Sequence, residues 1–204
     1  MGLSYKDICS LCSTIILMST CFIMGVFYSN LSYDAHLLFN KAGPTEDDYA
    51  LVLTHYQTLR ATATPLLYVV AVIAAIGIIA HLVRTYKPNP DLQYFEYGSL
   101  VVYILGICVF ITNIKTGIDC TMTHEWGEVD EKSGLAVLGS SNIILLCVFS
   151  GVIFLQAGLW SSTVDYEKRM TEFMEEERLE QMKAATAKTS NTKQSKGKKG
   201  KKSE

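Results

Sequence analysis

The sequence predicts an all-α membrane protein with four transmembrane helices, an amphipathic helix after the first of them, and a charged C-terminal tail. Of its 204 residues, 49% are hydrophobic and only 19% are charged, which is more apolar than an ordinary soluble domain. Four apolar stretches approach or exceed the roughly 20 residues that a helix needs to cross a hydrocarbon core of about 30 Å. Most lysines and arginines lie outside these stretches, after residue 163. A membrane domain followed by a polar tail accounts for this distribution.

The four predicted spans differ in length and in their small residues. They cover about residues 8–28, 65–83, 98–114 and 134–160. Pro65 opens the second span, at a helical position that proline favours. The third span is short, whereas the fourth is long and contains several glycines and serines. The first apolar run is about twice the length of a signal-peptide core, and no small-residue cleavage site follows it, so we expect it to be retained as a span.

A second kind of helix is predicted between spans one and two. Thr45 and Asp48 have the spacing of a capping box, and Glu46 and Asp47 complement the positive end of the helix dipole. One face of this helix then carries Tyr49, Val52, Leu53, Tyr56 and Arg60. This pattern predicts an amphipathic helix that packs on the end of the bundle or lies at the membrane interface.

The basic residues predict the orientation in the membrane. An even number of spans places both termini on one side, and 11 of the 18 lysines and arginines follow residue 163. Because Lys168 and Arg169 come directly after span four, the positive-inside rule predicts cytosolic termini and a lumenal amphipathic helix. We therefore expect a transmembrane domain over residues 1–163 and a cytosolic tail over 164–204, helical at first and disordered from about Thr189.

The last residues suggest a compartment. Lys201 and Lys202 precede the final Ser and Glu in "KKSE", which has the form of the dilysine signal by which coat machinery returns membrane proteins to the endoplasmic reticulum. The alternative is a solubilising basic end that attracts anionic lipid headgroups. The first interpretation predicts a multi-pass protein of the endoplasmic reticulum membrane whose tail contacts vesicle coat components.

The sequence offers little support for an enzyme. Cys9 and Cys12 have redox spacing, but the predicted orientation puts them near the reducing cytosolic face, so a redox enzyme is a disfavoured alternative. The four histidines have no partner at metal-ligand spacing, and no phosphate loop or nucleophile elbow is found. We expect no catalytic residue, cofactor, metal or nucleic-acid partner. The sequon at Asn30 directly follows span one, which is too close to the bilayer for glycosylation.

Polar side chains inside or at the ends of the spans are the candidate functional residues, because each needs a partner away from water. These residues are Asn113, Lys115, Ser141, Asn142 and Gln156. They either join spans three and four, with Lys115 reaching towards the interface, or offer hydrogen bonds to the helices of a client protein. No acidic residue lies deep in a predicted span, which argues against a proton-coupled transporter.

Several stretches in order resemble a known family. They are "GVFYSN" and "YDAHLLF" after span one, "HYQTL" before span two, "YKPNPDLQYFEYGSL" between spans two and three, "CVFITNIKTGID" and "EWGEVD" at the end of span three, and "LQAGLW" at the end of span four. Together they resemble the fungal packaging chaperones of the endoplasmic reticulum membrane that serve amino-acid permeases. The resemblance covers about residues 5–165, and the tail is similar in character only.

The resemblance implies a non-enzymatic chaperone with four spans and a cytosolic tail. Members of that family keep new amino-acid permeases from aggregating and help to load them into vesicles that leave the endoplasmic reticulum. No catalytic positions exist to transfer, and client contacts cannot be assigned residue by residue. The alternative is an accessory subunit or small transporter of the plasma membrane, for which the dilysine would be incidental.

Overall fold

The computed structural model describes residues 5–62, 64–87 and 92–199, and every element within them is helical. The elements are α1 (Tyr5–Leu38), α2 (Glu46–Thr62), α3 (Thr64–Thr85), α4 (Gln93–Val109), a π-helical segment (Phe110–Lys115), α5 (Thr116–Thr123) and α6 (Glu131–Lys199). Four stretches are long and apolar enough to cross a membrane: Asp7–Leu38, Leu67–Thr85, Gln93–Thr123 and Glu131–Lys183. The predicted all-α fold with four transmembrane helices is confirmed.

Two of these helices continue beyond the predicted spans. The first was expected to end near residue 28, but α1 continues to Leu38 because Asn30, Asp34 and Leu37 face the bundle and are buried. The third was expected to end near residue 114, but it continues through the π segment and α5 to Thr123. Polar residues that were assigned to loops by composition are therefore helical.

The amphipathic helix is present where the sequence predicts it. The capping box is formed reciprocally: the Asp48 amide donates to Thr45 Oγ1 at 3.3 Å, and the Thr45 amide donates to Asp48 Oδ2 at 2.8 Å. Val52 and Tyr56 on the predicted inner face are completely buried. Local chain chemistry therefore defines the start of α2, and burial of one face holds it against the bundle.

Polar bonds from α2 to α5 fix the position of α2 further. The Gln57 side-chain amide donates to the Thr121 carbonyl at 2.8 Å. One turn later, Arg60 Nε donates to Asp119 Oδ1 at 2.7 Å. Since both bonds join α2 to α5, the helical continuation after the π segment provides the surface on which α2 rests.

The core of the first compact unit, residues 1–159, is filled by large side chains at the centre of the bundle. Tyr103 and Phe149 are buried and meet edge to face, with ring centroids 5.5 Å apart. Gly106 of α4 faces the same phenyl ring, and a Cβ at this position would lie 2.8 Å from Phe149 Cζ. The close approach of α4 and α6 therefore depends on the missing side chain at residue 106.

The second compact unit, residues 160–204, consists of the C-terminal part of α6 over its described residues. Its apolar side chains are exposed: Met170, Phe173, Met174, Leu179 and Met182. The helix continues past Thr189, where low complexity predicted disorder, to Lys199. Lys201 and Lys202 lie outside the described residues.

Candidate functional site

A buried polar cluster, here the Asp34 cluster, joins α1, α2 and α6 through Asp34, Tyr56 and Asn142. All three residues are completely inaccessible to solvent. Tyr56 Oη donates to the Asp34 carboxylate, at 2.7 Å from Oδ1, and Asn142 Nδ2 donates to Oδ2 at 2.8 Å. Two donors from different helices therefore satisfy the carboxylate, and the expected candidate Asn142 holds helices of its own chain together.

A histidine next to Tyr56 connects this cluster to the side of α1. His55 Nε2 lies 3.1 Å from Asn30 Oδ1, and its ring stacks on Tyr33 with centroids 3.8 Å apart. Burial lowers the pKa of His55, so the ring is neutral near pH 7. Because an amide oxygen only accepts, Nε2 carries the proton that is donated to Asn30 Oδ1. Asn30 is only 3% exposed, and its side chain is directed into the protein towards His55.

A second buried cluster, here the Arg84 cluster, joins all four long helices of the bundle. Its members are Ser13 of α1, His81 and Arg84 of α3, Glu96 and Ser99 of α4, and Gln156 of α6. Arg84 Nη2 lies 3.2 Å from Glu96 Oε1, and both side chains are about nine-tenths buried. The Arg84 Nη1 also donates to Ser13. A buried ion pair therefore anchors the ends of α3 and α4 to each other.

The remaining hydrogen bonds of the Arg84 cluster form a chain in which every donor points from Arg84 towards the Gly77 carbonyl. Arg84 Nη1 donates to Gln156 Oε1 at 3.3 Å, and Gln156 Nε2 donates to Ser99 Oγ at 2.8 Å. Ser99 Oγ lies 3.0 Å from His81 Nε2, while His81 Nδ1 lies 2.9 Å from the Gly77 carbonyl. Because a carbonyl only accepts, Nδ1 carries the proton and Nε2 accepts from Ser99. The candidate Gln156 is thus the link between a guanidinium and a hydroxyl.

The two clusters lie at opposite ends of the bundle. Ser13 and Asp34 on α1 are separated by about 30 Å of helix, which is about the thickness of a bilayer's hydrocarbon core. Each cluster therefore falls near one membrane face. Sequence reasoning missed Asp34 and Glu96 because both were placed in loops, although the structure makes them helical and buried. Both carboxylates lie outside the four predicted spans, near the ends of the membrane-crossing helices, so no acidic residue lies deep in a predicted span.

A polar groove, here the Asn113 groove, opens between the π segment with α5 and the start of α6. It encloses about 290 Å³ and is lined by Thr112, Asn113, Thr116, Gly117, Cys120, Trp126, Val129, Gly134, Val137 and Leu138. Asn113 is exposed; its Oδ1 accepts from Thr112 Oγ1 at 3.0 Å, and its Nδ2 donates to Ser141 Oγ over a long 3.4 Å. The indole nitrogen of Trp126 is buried without a hydrogen-bond partner among the described residues.

The five predicted candidates therefore divide into two sets. Ser141, Asn142 and Gln156 are buried and bond to neighbouring helices. Asn113 and Lys115 are exposed, and Lys115 Nζ lies 3.5 Å from Asp119 on the next turn. Both exposed residues belong to the π segment, a helix type that is enriched at functional sites.

The described part of the chain contains no group of three or more His, Cys, Asp or Glu side chains arranged to hold a metal ion. Cys9 and Cys12 are free thiols, and Cys12 is buried. The polar side chains of the Asn113 groove offer hydrogen bonding at the surface of the bundle.

Sequence similarity places the chain among known membrane proteins. The model of the SHR3 chaperone family, described as "ER membrane protein SH3", matches residues 7–196. Secretory component protein psh3 of Schizosaccharomyces pombe is 25% identical over 143 residues, which is 70% of this chain and 66% of that relative, slightly less than two thirds of its length. No solved structure matches significantly. The chain belongs to the SHR3 chaperone family of endoplasmic reticulum membrane proteins.

Proposed function

We propose that the protein is a chaperone of the endoplasmic reticulum membrane that assists the folding of amino-acid permeases, prevents their aggregation and promotes their packaging into outbound vesicles. The family membership supports the membrane-chaperone part of this function. The resemblance of the loops and span ends supports amino-acid permeases as clients. The fission-yeast relative is named as a secretory component protein, which agrees with a role in transport.

The observation that carries the proposal is the exposed amide of Asn113 on a membrane-facing groove. A permease that is still folding exposes polar groups that will later line its own substrate path, and lipid offers these groups no partner. The Asn113 groove supplies the exposed Asn113 amide and the hydroxyl oxygens of Thr112 and Thr116. These groups can form hydrogen bonds with the donors and acceptors of a client helix.

Release of the client follows from the strength of such contacts. Hydrogen bonds between membrane helices contribute about 0.6 kcal/mol on average, and up to about 2 kcal/mol. The Asn113–Ser141 bond of 3.4 Å is long, so Asn113 exchanges it for a client group at little cost. Once the client's own helices pack, they displace contacts of this size. The cycle needs no nucleotide.

The test is co-purification of a newly made amino-acid permease with the protein in gentle detergent. Asn113→Leu should reduce recovery of the permease several-fold, because it removes the amide from the groove. Cys108→Leu is the matched control, since Cys108 is exposed on the same helical stretch but does not line the groove. Equal recovery with both variants would remove Asn113 from the client site.

The tail is the proposed contact with the vesicle coat, on the basis that the termini are cytosolic. Its exposed Phe173 and Met174 form the centre of an apolar stripe on an otherwise charged helix. A Phe173→Ser, Met174→Ser variant should leave permease binding intact and lower the amount of permease in vesicles budded from isolated membranes. Thr171→Ser is a control on the same helix. Budding at the wild-type level would exclude the stripe.

The retrieval signal is a separate part of the proposal. Lys201 and Lys202 form the predicted dilysine, and a Lys201→Ser, Lys202→Ser variant should leave the endoplasmic reticulum while still binding permease. Retention of this variant in the endoplasmic reticulum would show that another segment determines residence.

A further inference from the structure

An apolar groove, here the acyl groove, lies between α1, α3 and α4. It encloses about 280 Å³, and its lining side chains are all apolar: they include Ile23, Val70, Ala74, Ile78, Ile107 and Phe149. Because none of them offers a hydrogen bond, the groove suits a hydrocarbon chain better than a polar segment of a client helix.

One end of the acyl groove leads to a charged mouth. A neighbouring cavity of about 240 Å³ shares Ala71 and Phe110 with the groove and is also lined by Arg60, Lys115 and Asp119. Arg60 Nε bonds to Asp119 Oδ1 at 2.7 Å, and Lys115 Nζ lies 3.5 Å from Asp119 Oδ2. Two cations around one carboxylate give the mouth a net positive charge, which complements an anionic headgroup.

The length of the paired cavities distinguishes between possible occupants. The α3 residues that line them extend from Leu67 to Ile78, which is about 16 Å of helix. This is about half of a hydrocarbon core of about 30 Å, or one leaflet. A transmembrane helix of a client would need a groove along the whole thickness, whereas a lipid chain occupies one leaflet.

We propose that this site holds an anionic phospholipid of the bilayer, with one acyl chain in the acyl groove and its headgroup phosphate near Arg60 and Lys115. Tyr68 is 71% exposed at the mouth, at the level where aromatic rings favour the interface between headgroups and acyl chains. This lipid site lies on a different surface from the Asn113 groove, so lipid binding does not depend on the proposed client.

The experiment uses the full chain in nanodiscs of phosphatidylcholine with a trace of phospholipid that carries a photoreactive diazirine in its acyl chain. Phosphatidylserine and phosphatidylcholine probes are compared, and labelled peptides are identified by mass spectrometry. The phosphatidylserine probe should label the lining of α3 and α4 at least threefold more than the phosphatidylcholine probe. Excess unlabelled phosphatidylserine should compete.

Two variants distinguish recognition of the lipid headgroup from binding of the acyl chain. Lys115→Gln should remove most of the preference for phosphatidylserine, because Lys115 is exposed and contributes charge at the mouth. Ala75→Leu fills the groove from an exposed position and should reduce labelling by both probes. Lys41→Gln in the turn before α2 and Val72→Leu on another exposed face of α3 are the matched controls. Thermal unfolding of each variant confirms that it is folded.

Two results would overturn the proposal. The first is that both probes label the groove no more than the exposed residues Val72 and Ile79, in every folded variant. This result would mean that the probes label only the surrounding bilayer-facing surface. The second is the capture of a client helix instead of lipid by a photoreactive amino acid placed at residue 75 in cell membranes, which would make the groove a protein-binding surface.

Discussion

At the scale of single residues, burial separates polar groups that hold the bundle together from those that can bind elsewhere. Asp34 and Asn142 are inaccessible and bonded to each other, whereas Asn113 is exposed with one long bond to α6. A polar group inside a bilayer needs a partner in either case. The residues that bond to each other inside the bundle contribute to its stability, and the exposed Asn113 amide is the candidate contact for another protein.

Tyr56→Phe tests the structural role of the Asp34 cluster. The substitution removes a donor to the buried Asp34 carboxylate and leaves that carboxylate with Asn142 alone, so the free energy of unfolding should fall by about 1–3 kcal/mol. Unfolding in mixed micelles measures this change. Tyr94→Phe, at a side chain 80% exposed, is the control and should have no measurable effect. A matching loss in both variants would contradict the assigned role.

His55 should make stability depend on pH. Burial lowers its folded-state pKa below the ordinary value of 6.5, so the unfolded chain binds a proton more readily. Its contribution is therefore present above pH 6.5 and decreases as pH falls from 6.5 towards the folded-state pKa. Unfolding measured between about pH 7.5 and pH 5 should show this loss. In His55→Phe, which keeps an aromatic ring against Tyr33, the free energy of unfolding should depend less on pH. An unchanged pH dependence would assign the effect to another group.

At the scale of elements, the π segment Phe110–Lys115 is the feature that links the fold to the candidate sites. It contains Asn113, which lines the polar groove, and both Phe110 and Lys115, which line the charged mouth. The chain then continues as α5, which bonds to α2 through Asp119. One irregular turn therefore presents residues to two different surfaces.

Gly106 provides a stability test of helix packing between α4 and α6. Gly106→Ala places a Cβ 2.8 Å from the buried Phe149 ring, and overpacking of this kind costs about 1–3 kcal/mol. Gly25→Ala is the matched control, because no atom lies within 4 Å of its added Cβ; it should stabilise α1 by up to about 1 kcal/mol. Equal effects of both substitutions on unfolding would contradict the close packing.

The sequence predicted the elements better than their ends. Apolar runs identified four spans, and the capping box of Thr45 and Asp48 located α2 correctly. The ends were missed because the C-terminal turns of α1 contain polar residues such as Asp34, whose partners come from α2 and α6. Such long-range pairing leaves no local signal. The π segment was likewise not predicted, because no local pattern in Phe110–Lys115 distinguishes it from the end of an α-helix.

At the scale of the whole molecule, polar clusters near both ends of the membrane-crossing helices enclose an apolar middle. The Arg84 cluster joins four helices at one end, and the Asp34 cluster joins three at the other. The candidate residues Gln156 and Asn142 were predicted from the sequence as polar groups within a span, but their assignment to one cluster each required the structure. The Asn113 groove and the acyl groove then lie on the outside of a bundle whose helices are joined by polar clusters near both ends.

The fate of an amino-acid permease in cells that lack the protein tests the chaperone function directly. We expect the permease to aggregate in the endoplasmic reticulum, the wild-type chain to restore its arrival at the surface, and Asn113→Leu to restore it less well than Cys108→Leu. Normal permease traffic without the protein, together with the protein itself at the plasma membrane, would contradict the chaperone function and favour an accessory subunit or small transporter.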